Sequence, residues 1–299
     1  MHKEIQVSII ILNYNTCKMT SECIDSILYH TKDVSYEIIL VDNASTDGSK
    51  EVFQNKKGIK YLYQTENLGF GKANNKGMEV AQGDYFFLLN SDTLLVNNAI
   101  KIFYEYAESH NMKAFYGCWL EDKEGNYIHS GGQIPTIGFL LWNLCKSYIP
   151  GRYQGDRSIH YSEKECYTIG YVTGADMFFH RSIYEQTKGF DPNFFMYYEE
   201  ADWQRTAARE GINCYVLNTP RIIHLEGGSQ QTDNREMNVG RFDRYMKSQY
   251  YYVRKNTTYL NYLFYRMINA VLYIPKLVIG KSAGWNTSIK AINVLFKAM

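Results

Sequence analysis

Val7-Ser8-Ile9-Ile10-Ile11-Leu12 is a near-continuous aliphatic run, broken at once by Asn13-Tyr14-Asn15. A strand with one wet face alternates apolar and polar positions. This one does not, so it is covered on both faces, as in a parallel sheet between helical layers. A helical stretch follows, with Cys23, Ile24, Ile27 and Leu28 on one side. The next buried run, Glu37-Ile38-Ile39-Leu40-Val41, ends at Asp42, and Ser45-Thr46-Asp47-Gly48-Ser49 supplies turn and N-cap chemistry for a short helix. Ile59 to Tyr63 reads as a third strand, Lys72 to Ala81 as a helix, and Tyr85-Phe86-Phe87-Leu88-Leu89 as a fourth strand stopping at Asn90-Ser91-Asp92. This β-α-β-α alternation predicts an α/β fold with a mostly parallel central sheet flanked by helices. In such sheets ligands bind outside the carboxyl ends of the strands. Asn13, Tyr14, Asp42, Asn90 and Asp92 stand at those ends.

From Gly131 to Gly170 the pattern turns irregular and aromatic, and predicts a loop-rich region over the sheet. Order returns at Tyr171 to His180, then in a helix starting near Glu199 and a strand at Tyr215-Val216-Leu217. The length of 299 residues suffices for one large core with an appended segment. Six cysteines without a CxxC pair exclude a zinc ribbon or thioredoxin-type motif and fit a reducing cytoplasm, as does the lack of a signal-like start.

The net charge of +1 hides an asymmetry: nine basic and no acidic residues follow Asp243, while the preceding residues hold 23 basic against 31 acidic. An acidic body argues against nucleic acid as a partner, and the basic tail points to an anionic one. Within that tail Leu260, Leu263, Phe264, Met267, Ile268, Val271 and Leu272 repeat with helical period, opposite Asn261, Tyr265, Arg266 and Asn269. Pro275 is expected to stop this helix. Arg266 argues against a spanning helix, since a mid-bilayer Arg costs about 2.5–3.5 kcal/mol on the most lenient scale. The helix either docks on the body or lies on an anionic membrane surface, and the unbroken positive charge favours the membrane for part of the tail.

Several residues at the strand ends and beyond suit chemistry on a diphosphate-activated group. Asp42 can accept a hydrogen bond from a pyrimidine imide, or simply close an Asx turn in Asp42-Asn43-Ala44-Ser45. Asp92 can ligate Mg²⁺ or Mn²⁺ bridging a diphosphate, or cap a helix beginning near Leu94. His224 can be a second ligand or structural, and Gly227-Gly228-Ser229 can offer backbone N–H groups to phosphate. Glu199, Glu200 and Asp202 cluster at a helix start, where they either favour the helix dipole or supply a general base whose pKa like charges raise.

The order of these pieces resembles glycosyltransferase family 2, inverting enzymes of GT-A fold, and within it the bacterial rhamnosyltransferase-like branch. The resemblance is carried by Val7 to Asn15, Val41 to Ser49, Glu66 to Gly77, Leu88 to Asp92, Thr173 to Phe179 and Gly189 to Phe195 running into Glu199-Glu200-Ala201-Asp202-Trp203. It implies a GT-A catalytic domain over 1–240, with a nucleotide-binding half (1–95) and an acceptor half (96–240), followed by a basic helical tail (241–299). It implies that Tyr14 and Asp42 contact the base, with Asn13 beside them, that Asn74 lies near the nucleotide, and that Asn90 is near the ribose. Asp92 would take the metal, His224 the metal or diphosphate, and Asp176 would face a sugar. Glu200 would be the base, with Glu199 as the alternative.

The implied partners are a nucleotide-sugar donor (dTDP-rhamnose or a UDP-sugar) and a glycan or polyprenyl-linked acceptor in cell-surface polysaccharide synthesis. The implied place is cytoplasmic, peripheral on the inner face of the cell membrane. The sequence departs from the family in carrying Asn90 for the first acid of Asp-x-Asp, and Glu199-Glu200 where a Glu-Asp pair is usual. The Gln-x-x-Arg-Trp motif of processive synthases is missing, which favours single transfers. The competing readings are a nucleotidyltransferase, a dinucleotide-binding oxidoreductase suggested by Gly69-Phe70-Gly71, whose third glycine is replaced by Asn74, and an inactive sugar- or lipid-binding module on the same fold.

Overall fold

The opening aliphatic run forms β1 (Val7–Asn13) at the centre of the computed structural model, which describes residues 4–110, 113–146, 148, 164–225, 238–279 and 285–297. Parallel to it lie β2 (Tyr36–Asp42) on one side and β4 (Tyr85–Asn90) on the other, with β3 (Ile59–Tyr63) outside β2. Beyond β4 the sheet continues through β10 (Asp176–His180), β6 (Ala114–Cys118), β11 (Asn213–Leu217) and β8 (Cys166–Ile169). Six of these eight strands run one way; β10 and β8 are antiparallel to their neighbours.

The pleat divides the aliphatic runs between two cores. Ile9, Ile11, Ile38, Leu40, Phe87 and Leu89 pack against α1 (Cys17–His30) and α4 (Ala99–Ser109). Ile10, Ile39, Val41, Phe86 and Leu88 pack against α3 (Phe70–Val80), α6 (Arg181–Thr187) and α7 (Glu199–Ala208). Each such side chain, fully buried, contributes about 1.5–3 kcal/mol, which is why these strands tolerate no alternation. The chain steps outward from β1 to β2 and β3, then crosses back to β4 on the other side of β1. That reversal opens a crevice. Register sets Asn13 beside Asp42 and Leu12 beside Asn90, so the polar strand ends stand level.

Two expectations are corrected here. No helix begins near Leu94: Thr93, Leu94 and Leu95 form β5 (Thr93–Leu95), paired with β12 (Ile222–His224), and α4 waits until Ala99. The described residues of the stretch 131–170 hold more regular structure than its irregular pattern suggests, while 147 and 149–163 lie outside the described residues. The stretch holds β7 (Gly131–Gly132), which pairs with β9 (Tyr171–Val172), then α5 (Ile137–Lys146) and β8.

The tail forms α8 (Val239–Asn256), α9 (Tyr259–Ile279) and α10 (Trp285–Lys297), and builds a third core with Leu140 and Phe194 of the body. Lys255 locks it in place, its Nζ 2.6 Å from both Asp191 and the buried Asp202. Pro275 does not stop α9, which runs four residues further to Ile279. Packing against α5 and α10 compensates for the bond that Pro275 cannot make, and beside the break the Tyr148 hydroxyl donates to the Leu272 carbonyl. The faces of α9 are also reversed from a simple amphipathic docking. Tyr262, Tyr265 and Asn269 are buried, while Leu260, Leu263, Phe264, Met267 and Val271 are exposed. No helix among the described residues is long and apolar enough to cross a membrane.

Candidate functional site

Two strand-end residues turn inward, beneath the crevice rather than into it. The Asn13 Oδ1 accepts from the Thr16 and Thr20 hydroxyls at 2.8 and 2.9 Å, and its Nδ2 donates to the Ser45 hydroxyl at 3.0 Å. Asp42, fully buried, accepts from the Ser45 N–H at 2.9 Å and from the Tyr61 hydroxyl at 2.5 Å. Both side chains therefore fix the β1–α1 and β2–α2 turns, α2 being Ser49–Phe53, and neither lines the crevice. Asn74 is likewise inside, its Nδ2 donating to the Phe70 carbonyl of its own helix at 3.1 Å. Tyr14, by contrast, stands at the crevice edge, 39% exposed.

Asn43 links the turn after β2 to the next loop. Its Oδ1 accepts from Leu68 N–H at 2.9 Å and its Nδ2 donates to Asn67 Oδ1 at 2.9 Å. This holds Gly69, whose φ of +80° suits glycine and whose missing Cβ would stand 2.2 Å from the Phe195 carbonyl oxygen. The Phe70 N–H donates to that same oxygen at 2.9 Å. Gly69 and Gly71 thus give close packing to the 189–198 loop: a Cβ on Gly71 would meet Phe190 Cβ at 2.8 Å. The loop ends in Tyr197 and Tyr198, both left-handed at φ +75° and +69°. Two consecutive non-glycine residues in that region cost roughly 1–3 kcal/mol each, a strain held by the Asn43–Asn67–Gly69 strap. They deliver the start of α7 to the crevice.

At that start Glu199 is buried and Glu200 half-buried, and each has an Oε2 with no hydrogen-bond partner. Burial, then the charge of Glu200, pushes the Glu199 carboxyl well above its usual range; burial alone raises Glu200. Asp202, expected in the same cluster, faces away and is neutralised by Lys255 and the Asn256 amide.

Across the crevice, the pairing of His224 with Thr93 in the β5–β12 ribbon brings His224 Nε2 to 3.2 Å from Asp92 Oδ1 and 3.5 Å from Asn90 Nδ2. The Leu225 N–H donates to the Asp92 carbonyl at 2.8 Å, fixing the approach. At that spacing Asp92 and His224 could hold one divalent ion between them, which would supply positive charge at this wall. No group of three or more His, Cys, Asp or Glu able to hold a metal occurs among the described residues. Gly227-Gly228-Ser229 lies outside the described residues.

Asp176 sits behind this wall, fully buried and absent from the cavity lining. Its carboxylate accepts from the Cys118 N–H at 2.6 Å and the Thr173 hydroxyl at 3.4 Å, and burial raises its pKa to about 7.

The crevice encloses a cavity of about 320 Å³ whose wall includes Tyr14, Asn90, Asp92, Glu199, Glu200 and His224. Asn43, Asn67, His129 and Tyr197 also line it, and sequence reasoning does not single them out. Among the described lining residues there is no Lys or Arg. A diphosphate placed here meets acidic groups and, among the described lining residues, no basic side chain of Lys or Arg, so a divalent cation held by Asp92 and His224 would supply the missing positive charge.

A family model described as Glycosyl transferase family 2 matches residues 8–187. The glycosyltransferase GlyG of Streptococcus pneumoniae serotype 4 (strain ATCC BAA-334 / TIGR4) is 31% identical over 157 residues, covering 50% of each protein. The rhamnosyltransferase WbbL of Escherichia coli (strain K12) is 24% identical over 249 residues, 79% of this chain and 88% of WbbL. The crystal structure of GalNAc-T7 with UDP, GalNAc and Mn²⁺ superposes with a TM-score of 0.60 at 14% identity, over 85% of this chain and 48% of that one. The matched stretch thus spans about half the length of GlyG and of GalNAc-T7. The sheet order and its crevice are those of the GT-A fold.

Proposed function

This chain belongs to glycosyl transferase family 2, and on that premise we propose that it moves one sugar from a nucleotide-sugar to a glycan or lipid-linked acceptor, with inversion, in cell-surface polysaccharide synthesis. The observation that carries the reading is that Glu200, with an unpartnered carboxylate oxygen, and the Asp92–His224 pair line the same cavity.

In the proposed step Glu200 takes the proton from an acceptor hydroxyl, whose oxygen forms a bond to the anomeric carbon. The bond from that carbon to the diphosphate oxygen breaks, and its electron pair leaves with the nucleoside diphosphate. Glu200 is preferred to Glu199 as base because it also lines the neighbouring hollow through which an acceptor can approach. Its raised pKa brings it nearer neutrality, which favours proton transfer at physiological pH. Asn90 and Tyr14, which line the crevice, would hold ribose and base. Asn13, Asp42 and Asn74 act by holding the turns that present them. Asp92 and His224 would hold Mg²⁺ or Mn²⁺, which when bound supplies Lewis-acid stabilisation of the leaving diphosphate. The rhamnosyl transfer in WbbL's name supports rhamnose as the sugar, with dTDP-rhamnose or a UDP-sugar as the proposed donor.

A membrane surface is the second partner in this reading. The exposed face of α9 presents Leu260, Leu263, Phe264, Met267 and Val271 beside a tail free of acidic residues after Asp243. Such a face suits the headgroup layer of an anionic leaflet, with about 1 kcal/mol from each nearby basic residue. This would keep the chain peripheral on the inner face of the cell membrane.

The test is a panel of UDP-, dTDP- and GDP-sugars with Mn²⁺. A cognate donor at a hundredfold its Kd should stabilise the fold by about 2.7 kcal/mol. Turnover should release nucleoside diphosphate. Release of pyrophosphate, or no stabilisation by any member, would overturn the reading. Asp92→Asn should weaken the Mn²⁺-dependent part of donor binding.

A further inference from the structure

A second hollow, of about 450 Å³, adjoins the donor cavity and shares Glu200, His129 and Tyr197 with it. Its size falls in the range of small-molecule sites, about 300–1,000 Å³. It lies where the tail meets the body: α5 supplies Phe139, Leu140 and Leu144, and α8 and α9 supply Tyr245, Gln249 and Tyr273.

Two polar groups inside it lack partners. One is Glu200 Oε2. The other is Gln249 Oε1, on a residue only 4% exposed. The Gln249 amide is held by its Nε2, 2.6 Å from the Tyr198 hydroxyl and 3.3 Å from that of Tyr245, and those hydroxyls are 2.9 Å apart. Whichever way the amide is turned, one of its two polar atoms is left for a ligand. A buried amide oxygen without a partner is unfavourable, and a hydroxyl entering the hollow would satisfy it. The lining combines tyrosines and the two polar groups with the apolar Phe139, Leu140 and Leu144 of α5. The outer face of α9 is the exposed apolar stripe, so the hollow lies about one helix diameter, 10–12 Å, from it.

Resting on the glycosyl-transfer reading, we propose that this hollow is the acceptor pocket. It takes the terminal sugar ring of a glycoside against Gln249 and the tyrosines, with a hydroxyl directed at Glu200 and an apolar aglycone along Phe139, Leu140 and Leu144. Gln249 is the residue that sets the ring's position. The tail helices complete this pocket, so an acceptor held in a membrane would reach the base from the side on which α9 is bare.

The test uses the full chain and saturation-transfer NMR with the octyl and methyl glycosides of glucose, galactose, N-acetylglucosamine and rhamnose. The expected result is saturation of the sugar protons of at least one octyl glycoside, tenfold weaker binding in Gln249→Leu, and weaker binding of octyl than of methyl forms after Leu144→Glu relative to wild type. Asn143→Trp, which fills the hollow from α5, carries the same test should Gln249→Leu fail to melt cooperatively. No glycoside bound by the wild type, binding unchanged in Gln249→Leu and in Asn143→Trp, or saturation confined to octyl protons in every variant would overturn the proposal. UDP-induced thermal shift is read in parallel. Its loss in the wild type counts against the donor reading, whereas its retention with glycoside binding unaffected by Gln249→Leu counts against this pocket alone.

Discussion

Asp176→Asn should make the protein more stable at neutral pH. Asp176 is fully buried, and burial lifts its carboxyl from 3.8 to about 7. Ionising it inside the fold is therefore unfavourable, and protons are held more tightly by the folded than by the unfolded chain. With the folded value raised, the stability the neutral acid provides is complete below about pH 4 and is lost as pH rises through about 7. A shift of about three pH units at about 1.4 kcal/mol each gives a penalty of about 4 kcal/mol above neutrality. Asparagine preserves the geometry, since its Oδ1 can accept from the Cys118 N–H and its Nδ2 can donate to the Thr173 hydroxyl. Urea denaturation of wild type and variant, near pH 4 and near pH 8, reads the difference directly. The two should coincide at the acid end and differ by about 4 kcal/mol, in favour of the variant, at the alkaline end. A pH-independent difference would show that Asp176 is ionised in the fold and that the reasoning from burial is wrong.

Gly69→Ala should cost on the order of 3 kcal/mol, because a left-handed backbone and the Phe195 carbonyl both exclude a Cβ; chemical denaturation checks this, and the variant should also lose stabilisation by the nucleotide. Glu199→Gln should raise the melting temperature above neutral pH and leave it unchanged near pH 4, since burial and Glu200 raise the Glu199 pKa and oppose its ionisation. Phe264→Asp with Met267→Asp, on the bare face of α9, should abolish flotation with vesicles containing anionic lipid while leaving the circular dichroism melt unchanged; equal flotation would remove the membrane from the account.

The strand ends are legible in the sequence because a doubly covered strand has an unmistakable pattern, and Val7 to Leu12 has it without interruption. The meeting of Asp92 with His224 has no local signature, since it depends on a three-residue ribbon between segments 130 residues apart in the chain. Whether a polar residue at a strand end points into a crevice or into its own turn depends on partners elsewhere. Ser45 and Tyr61 turn Asp42 inward, and the Cys118 backbone does the same for Asp176. Asn43 and Asn67 stand in stretches that carry the family resemblance, but their role as a strap rests on a contact across 24 residues. His129 carries no local signal. The buried face of α9 is hidden from sequence reasoning because tyrosines and an asparagine, satisfied by one another, form its docked side, as in the Tyr250–Asn269–Tyr265 chain of hydrogen bonds. Hydrophobic periodicity alone ranks that side as the wet one.

In the proposed reaction the Glu200 carboxylate, at the start of α7, works on whatever the Asp92–His224 wall holds. Turnover of a cognate nucleotide-sugar by Glu200→Gln, measured beside its affinity for that donor, tests this most directly. Donor affinity should stay within about threefold of wild type while the rate falls by about 10²–10⁴. A variant that turns over at the wild-type rate would contradict the proposed reaction.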